Sequence, residues 1–139
     1  MNKCIFVVED NDAHAEIIRR CLKKCEVDLP IIRASNGEEA KNYLVDQVEI
    51  SGNWLEPKLI LLDIRLPRVS GLELLQDVRK HDKLSGIPIV ILTSSAAEAD
   101  INASYQSHAS SYLVKPMNYS EYIALFQTLT RYWLGLNLN

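Results

Sequence analysis

The 139-residue sequence has little of what marks secreted, membrane or nucleic-acid-binding proteins. Its three cysteines form no C-x-x-C pair, so we expect reduced cysteines in a cytoplasmic protein and no disulfide framework or zinc site. Its longest apolar runs span about five residues, far below the roughly 20 that cross a membrane. Its net charge of −3 lacks the basic excess of nucleic-acid binders. We therefore predict neither a membrane protein nor a nucleic-acid-binding protein.

Two apolar patterns alternate along the chain. Short β-branched runs, typical of buried strands, are each followed by a longer segment with helical periodicity. Five repeats of this kind predict an α/β fold: a doubly wound, five-stranded parallel sheet with five helices on its two faces. The strands are predicted at residues 4–8, 29–32, 59–62, 89–92 and 112–114.

Other local patterns add detail to this fold. Asn36, Ser70 and Asn118 are each followed three residues later by Glu, a pattern that predicts a helix start. Residues 50–58 contain Gly, Trp and Pro and are predicted to form a long exposed loop. The fourth helix has the thinnest apolar face, made of Ala97, Ile101 and Tyr105.

Polar residues directly follow four of the five predicted strands. Glu9 and Asp10 follow the first, Asp63 the third, Thr93 the fourth and Lys115 the fifth. Ligands of doubly wound sheets bind beyond the carboxyl ends of the strands, so these side chains are expected to converge. Each residue alone has an ordinary explanation, such as a solvated turn or a loop. Only their joint placement predicts a site.

Three neighbouring carboxylates repel one another unless one is protonated or a cation lies between them. Oxygen ligands without His or Cys favour a hard ion such as Mg²⁺. A lysine and a threonine beside them can bind a phosphoryl group that the metal only partly neutralises. The set is typical of phosphoryl transfer, in which an aspartate can be the nucleophile.

The chain resembles the receiver domains of two-component response regulators from about Lys3 to Trp133. The similarity is carried by four motifs in the family's order and at its intervals. They are Val-Glu-Asp at 8–10, Leu-Leu-Asp-Ile-Arg-Leu-Pro at 61–67 with Gly71, Ile-Leu-Thr-Ser at 91–94, and Tyr-Leu-Val-Lys-Pro at 112–116. The resemblance implies a flavodoxin-like sheet with strand order 2-1-3-4-5.

The resemblance also assigns a role to each motif residue. Asp63 becomes the phosphoacceptor, and Glu9, Asp10, Asp63 and the backbone carbonyl of Arg65 become ligands of Mg²⁺. Pro67 and Gly71 match the residues that shape the loop after the acceptor.

The other two motifs supply the phosphate-binding and switch residues. Thr93, the amide of Ser94 and Lys115 would bind the phosphoryl group. Thr93 and Tyr112 would form the switch, with the aromatic ring moving inward as the hydroxyl moves toward the phosphate.

The sequence departs from the family pattern at three places. Residues 50–58 lengthen the segment before the third strand. Arg65 is a bulky cation where smaller or neutral side chains are usual. His108-Ala109 stands where the family usually has Gly-Ala, which leaves the conformation of that turn open.

Residues 1–133 are predicted to form the receiver and 134–139 a C-terminal tail too short for an output domain. The chain resembles stand-alone regulators that serve bacterial phytochromes. The resemblance therefore implies a sensor histidine kinase, of the phytochrome-like kind, as the upstream partner. A protein partner is expected downstream. Helix 4, strand 5 and helix 5 would form the switching face. Two readings of the tail stay open: with this face it forms the contact of a homodimer, or it folds back on its own domain. No enzymatic activity is expected beyond the protein's own phosphorylation and dephosphorylation.

Two alternatives remain open. A hydrolase of the haloacid dehalogenase type also uses an Asp nucleophile, a Thr or Ser, and a Lys. That family needs a second Asp two positions after the nucleophile, where this chain has Arg65, and a cap over the substrate. The second alternative is a receiver fold that serves only as a docking module and takes no phosphate.

The predicted role of the tail can be tested by removing residues 134–139. If the tail joins two copies, light scattering will give the mass of a dimer for the full chain and of a monomer for the truncated one. An equal mass for both would remove the tail from the dimer contact.

Overall fold

The computed structural model describes residues 3–48, 50 and 52–137. Five strands and five α-helices alternate along it, and two of the helices continue into a π-helical turn. No helix in these ranges is both long and apolar enough to cross a lipid bilayer. The elements are β1 (Lys3–Val8), α1 (Asp12–Lys24), β2 (Ile31–Ala34), α2 (Gly37–Lys41) with a π-helical turn (Asn42–Asp46), β3 (Glu56–Leu62), α3 (Gly71–Lys80), β4 (Ile89–Thr93), α4 (Glu98–Gln106), β5 (Ser111–Val114), and α5 (Tyr119–Thr130) with a π-helical turn (Arg131–Leu136).

The strands form one parallel sheet in the order β2-β1-β3-β4-β5, which confirms the predicted fold. The register aligns the carboxyl ends of neighbouring strands: Val8 pairs with both Ala34 and Leu62, and Thr93 pairs with Val114. Each residue that follows a strand therefore emerges at the same edge of the sheet.

The sheet is buried on both faces because side chains alternate between the two sides of each strand. On one face Phe6, Leu62 and Ile91 pack with α2 and α3. On the other, Val7, Leu61 and Leu92 pack with α1 and α5. Burying one such side chain stabilises the fold by about 1.5–3 kcal/mol, so the apolar runs of the central strands specify the architecture.

Side-chain caps fix where four of the helices begin. Asn36, Ser70 and Asn118 each accept a hydrogen bond from the backbone amide three residues later, as predicted. Asn11 caps α1 in the same way through the amide of His14, at 2.9 Å. The caps place the N-termini of these helices beside the carboxyl ends of the strands.

The segment before β3 differs from the exposed loop predicted for residues 50–58. β3 begins at Glu56, because residues 56 and 57 already pair with Lys3 and Cys4 of β1. Trp54 packs on the core, and its indole donates a hydrogen bond to the carbonyl of Tyr43 at 2.8 Å. The aromatic side chains thus hold the end of this segment against the π-helical turn after α2.

Two further boundaries differ from those predicted. β2 runs from Ile31 to Ala34 rather than over residues 29–32, and it lies at an edge of the sheet. The chain after residue 133 continues as a helical turn, in which Leu134 packs against the domain's own core and Leu136 is 63% exposed. Residues 138 and 139 of the predicted tail lie outside the described residues.

The fourth helix, α4, packs loosely on the domain, but its buried residue is not one of the three predicted for its apolar face. Only Ser104 of α4 is buried, and its hydroxyl donates to the carbonyl of Asp100 at 2.8 Å. Ala97 is the exposed cap residue, and Tyr105 is 49% exposed. The turn after α4 contains His108 at a φ of 70°, a left-handed conformation that the family's usual glycine adopts more easily.

Two glycines lie where a neighbouring backbone passes close by. A Cβ on Gly71 would lie 2.5 Å from Cα of Ile64 and 2.6 Å from the carbonyl oxygen of Asp63. A Cβ on Gly37 would lie 2.1 Å from the carbonyl oxygen of Val69. The loop between β3 and α3 is therefore packed against both glycines, and the loop-shaping role of Gly71 stays a prediction.

Gly71→Ala is expected to destabilise the fold by about 2 kcal/mol, because backbone atoms must move to admit the methyl group. Gly86→Ala is the matched control, since nothing lies within 4 Å of a Cβ at Gly86. Urea unfolding measures both. Equal unfolding midpoints for the two variants would contradict the close approach at Gly71.

Candidate functional site

The predicted site residues meet at the carboxyl edge of the sheet, held there by hydrogen bonds that extend the strands. The amide of Asp63 donates to the carbonyl of Val8 at 3.1 Å, and the amide of Lys115 donates to the backbone carbonyl of Thr93 at 2.7 Å. The amide of Glu9 donates to Ala34 at 3.1 Å. The backbone thus fixes three of the functional side chains one residue beyond the sheet.

Asp63 is the centre of the arrangement. Its side chain is buried, with Oδ1 accepting hydrogen bonds from the hydroxyl of Thr93 at 2.7 Å and the amide of Arg65 at 2.9 Å. Oδ2 accepts from Nζ of Lys115 at 2.8 Å. The donors stabilise the ionised carboxylate and fix its orientation.

Lys115 joins two buried carboxylates. Its Nζ lies 2.7 Å from Oε1 of Glu9 and 2.8 Å from Oδ2 of Asp63, and its side chain is 5% exposed. Burial opposes the ammonium charge, but the hydrogen bonds to Asp63 and Glu9 outweigh it and raise the pKa of Lys115. Removing the lysine would leave two buried carboxylates without a counter-charge, a change that typically costs 3–5 kcal/mol.

Glu9, Asp10 and Asp63 form an acidic cluster whose carboxylate oxygens lie within 4.8 Å of one another. Glu9 is buried, whereas Asp10 is exposed. Burial raises the pKa of Glu9, and the neighbouring charge of Asp63 adds to this effect, while hydrogen bonding to Lys115 opposes it. An oxygen-only donor set that is open on one side fits a hard divalent cation such as Mg²⁺.

A second network lies over the site, between the β3–α3 and β4–α4 loops. The guanidinium of Arg65 and the hydroxyl of Ser95 both donate to Oδ2 of Asp100, each at 2.5 Å. These bonds, that of Ser95 first, hold the pKa of Asp100 below its usual value. The hydroxyl of Tyr112 donates to the carbonyl of Ser95 at 2.8 Å. The network therefore connects the loop after Asp63 with α4 and the predicted switch tyrosine.

The remaining predicted residues lie around this centre. Thr93 is fully buried beside Asp63, whereas Ser94 directly after it is exposed. Tyr112 is half-buried on β5, and Pro67 lies exposed in the loop after Asp63. The predicted roles of the Arg65 carbonyl and the Ser94 amide stay predictions.

Sequence reasoning missed three residues that contact the site. Nδ1 of His14 lies 2.8 Å from Nζ of Lys115. Arg33 donates to the carbonyl of Glu9 and pairs with Asp12. Asp100 is the acceptor shared by the two loops over the site. Each lies in a helix start or strand end at the carboxyl edge, so inspecting the first turn of each helix as well as the strand ends would have found His14 and Asp100.

Family comparison agrees with this geometry. Residues 5–127 match the model of the response regulator receiver domain, and the chain belongs to that family. It is 36% identical to the response regulator Rcp1 of Synechocystis over 95% of this chain and 89% of that protein. It is 35% identical to a probable methanogenesis regulatory protein, FilR2, of Methanothrix harundinacea, over 96% of this chain and 84% of that protein.

Solved structures give the same result. The phosphorylated cyanobacterial phytochrome response regulator RcpA superimposes with a TM-score of 0.90 at 34% identity, covering 99% of this chain and 96% of that one. The Mn²⁺-bound form of Rcp1 superimposes with a TM-score of 0.88 at 34% identity, covering 98% and 97%. The chain is thus a response regulator receiver, and it covers most of the length of these relatives.

The raised pKa of Glu9 predicts a pH-dependent stability in metal-free buffer. The folded protein holds this proton above the ordinary carboxyl value of 4.5, so wild type loses stability relative to Glu9→Gln as the pH rises from about 4.5. The slope is at most about 1.4 kcal/mol per pH unit, the limit for one proton.

Urea unfolding with a chelator, at pH values between about 4.5 and 7, measures this difference. Glu98→Gln, at an exposed position of α4, is the control and should remain parallel to wild type. A constant difference between wild type and Glu9→Gln would show that the Glu9 proton is not linked to folding.

Proposed function

We propose that the protein is a phosphorylation-controlled switch whose phosphoacceptor is Asp63. The observation that supports this most directly is the carboxylate of Asp63, buried beside the hydroxyl of Thr93 and the ammonium of Lys115 and adjacent to two further carboxylates. A purely structural aspartate does not require this combination of donors and acidic neighbours.

Asp63 acts as the nucleophile without losing a proton, since its carboxylate is ionised in contact with Lys115. One of its oxygens forms a bond to phosphorus as the bond between phosphorus and the donor's nitrogen or oxygen breaks. The leaving group keeps that electron pair and takes a proton from solvent or the donor protein. The product is an acyl phosphate on Asp63.

Thr93 and Lys115 stabilise the product by moving with the charge. The hydroxyl that donates to Oδ1 of Asp63 and the ammonium that pairs with Oδ2 can both turn to phosphoryl oxygens. Glu9 retains its contact with Lys115 and keeps the ammonium at the site.

The acidic cluster is proposed to hold Mg²⁺ through Glu9, Asp10 and Asp63, with the carbonyl of Arg65 as a further ligand. When bound, the ion supplies positive charge that offsets the negative charge of the phosphoryl oxygens. The Mn²⁺-bound structure of the similar protein Rcp1 supports the binding of a divalent cation.

The switch passes through Thr93 and Tyr112. A shift of Thr93 toward a phosphoryl oxygen opens space next to β5. The Tyr112 hydroxyl already holds the β4–α4 loop through the carbonyl of Ser95, so a movement of the ring carries that loop with it. With only Ser104 buried, α4 can move at small energetic cost.

The face formed by α4, β5 and α5 is the proposed signalling surface. Tyr105, Val114, Met117 and Tyr119 leave apolar side chains 44–94% exposed there. A downstream protein or a second copy of the chain, with the C-terminal residues at the contact, is the proposed occupant. A sensor histidine kinase is the proposed phosphodonor, and a phytochrome-like kinase is supported by the similarity to RcpA and Rcp1. A cytoplasmic location and the lack of activity on other substrates stay predictions.

Asp63→Asn tests the phosphoacceptor. Wild type treated with a small acyl phosphate and Mg²⁺ is expected to gain the mass of one phosphoryl group, which is lost again on standing because acyl phosphates hydrolyse. Asp63→Asn is expected to gain none. Intact-mass spectrometry measures both, with a chelated sample to test the metal.

Asp46→Asn is the matched control, because it removes a carboxylate from the π-helical turn after α2 and should leave labelling unchanged. No gain of mass in wild type would refute the proposal and favour the alternative that the protein serves only as a docking module. Sustained turnover of an unrelated phosphoester would instead favour the hydrolase.

A further inference from the structure

The ammonium of Lys115 has three N–H donors, and the structure shows an acceptor for each. Oε1 of Glu9 lies at 2.7 Å, Oδ2 of Asp63 at 2.8 Å and Nδ1 of His14 at 2.8 Å. The two carboxylates belong to the site already described. The imidazole comes from the first turn of α1, and the proposed phosphorylation chemistry leaves it without a role.

The charge state of His14 follows from this contact. A lysine ammonium donates hydrogen bonds and accepts none, so Nδ1 of His14 must present a lone pair. The ring is then neutral with its proton on Nε2. A protonated ring would have no lone pair for Lys115 and would add a second positive charge 2.8 Å away.

We propose that His14 is a positioning residue for Lys115, whose neutral imidazole takes the third hydrogen bond of the ammonium and holds it toward Asp63. The expected effect of His14 on the rate of phosphorylation rests on the proposed function of Asp63, whereas the hydrogen bond between His14 and Lys115 does not. Two carboxylates alone leave one N–H of a buried ammonium unpaired, and His14 removes that deficit. It also remains in place when the negative charge moves from Asp63 to a phosphoryl group.

The position of His14 is set by the fold. Its backbone amide donates to the cap residue Asn11 at 2.9 Å, which fixes the first turn of α1 at the edge of the sheet. Asp12 on the same turn is engaged by Arg33 at 2.9 Å. The ring is only partly buried.

The titratable groups that surround this pair come from three other elements. Glu9 after β1 and Asp63 after β3 lie across Lys115 from the imidazole. Tyr122 on α5 is buried, and burial raises its pKa despite the nearby charge of Lys115.

Two variants test the acceptor. His14→Leu removes it, and His14→Gln replaces the imidazole with an uncharged side chain that keeps an acceptor. Above about pH 7.5 we expect His14→Leu to be phosphorylated by a small acyl phosphate roughly tenfold more slowly than wild type, the size of one lost charge-assisted hydrogen bond, and His14→Gln within about threefold of it.

Rescue by the conservative variant then distinguishes positioning from a structural role, because a structural role would slow His14→Gln and His14→Leu alike. The matched control is His81→Gln at the C-terminus of α3, whose rate should equal that of wild type. An unaffected His14→Leu, or a His14→Gln as slow as His14→Leu, would overturn the proposal.

Nitrogen-15 NMR of histidine-labelled protein tests the hydrogen bond without any phosphorylation. At pH 8 the His14 signal, assigned by its absence in His14→Gln, is expected to show an unprotonated Nδ1 and a protonated Nε2, and Lys115→Met should alter this tautomer. A proton on Nδ1 would overturn the inference. If Asp63 takes no phosphoryl group, the proposed function fails while this experiment still decides the contact.

Discussion

The site depends on one buried positive charge among negative ones. Lys115 lies where the carboxylates of Glu9 and Asp63 approach each other, and without it both would be buried beside a like charge. Burying the ammonium costs desolvation free energy, and the hydrogen bonds to the two carboxylates offset that cost. The parallel sheet makes the arrangement feasible, because its register brings β1, β3 and β5 to a common edge. Fold and chemistry are therefore linked through the ends of the strands.

Sequence reasoning was most successful where a strong apolar pattern had no competitor. The doubly buried runs in β3 and β4 predicted central strands, and the polar residues after them predicted Asp63 and Thr93 at one edge. Side-chain caps such as Asn118 were visible because a capping bond is local in sequence. Interactions between residues close in the chain can be predicted from the local sequence.

The features that sequence reasoning missed involve contacts distant in the chain. His14 and Lys115 are 101 positions apart, and no local pattern brings them together. The early start of β3 depends on pairing with β1, and the boundary at Glu56 was hidden because charge and proline there are typical of loops. The packing of Leu134 on its own domain likewise depends on where the π-helical turn after α5 directs the chain. All three features depend on tertiary contacts, which a local sequence pattern does not contain.

The two glycines against the β3–α3 loop have a consequence for how such a protein diversifies. Backbone atoms of Ile64 and Val69 abut Gly71 and Gly37, so the course of the loop is fixed by main-chain contact at its two ends. Arg65 and Arg68 lie between these points, and their guanidinium groups pair with Asp100 and Glu38 outside the loop. Exchanging such side chains would change the surroundings of Asp63, while the main-chain contacts at the two glycines would keep Asp63 in place.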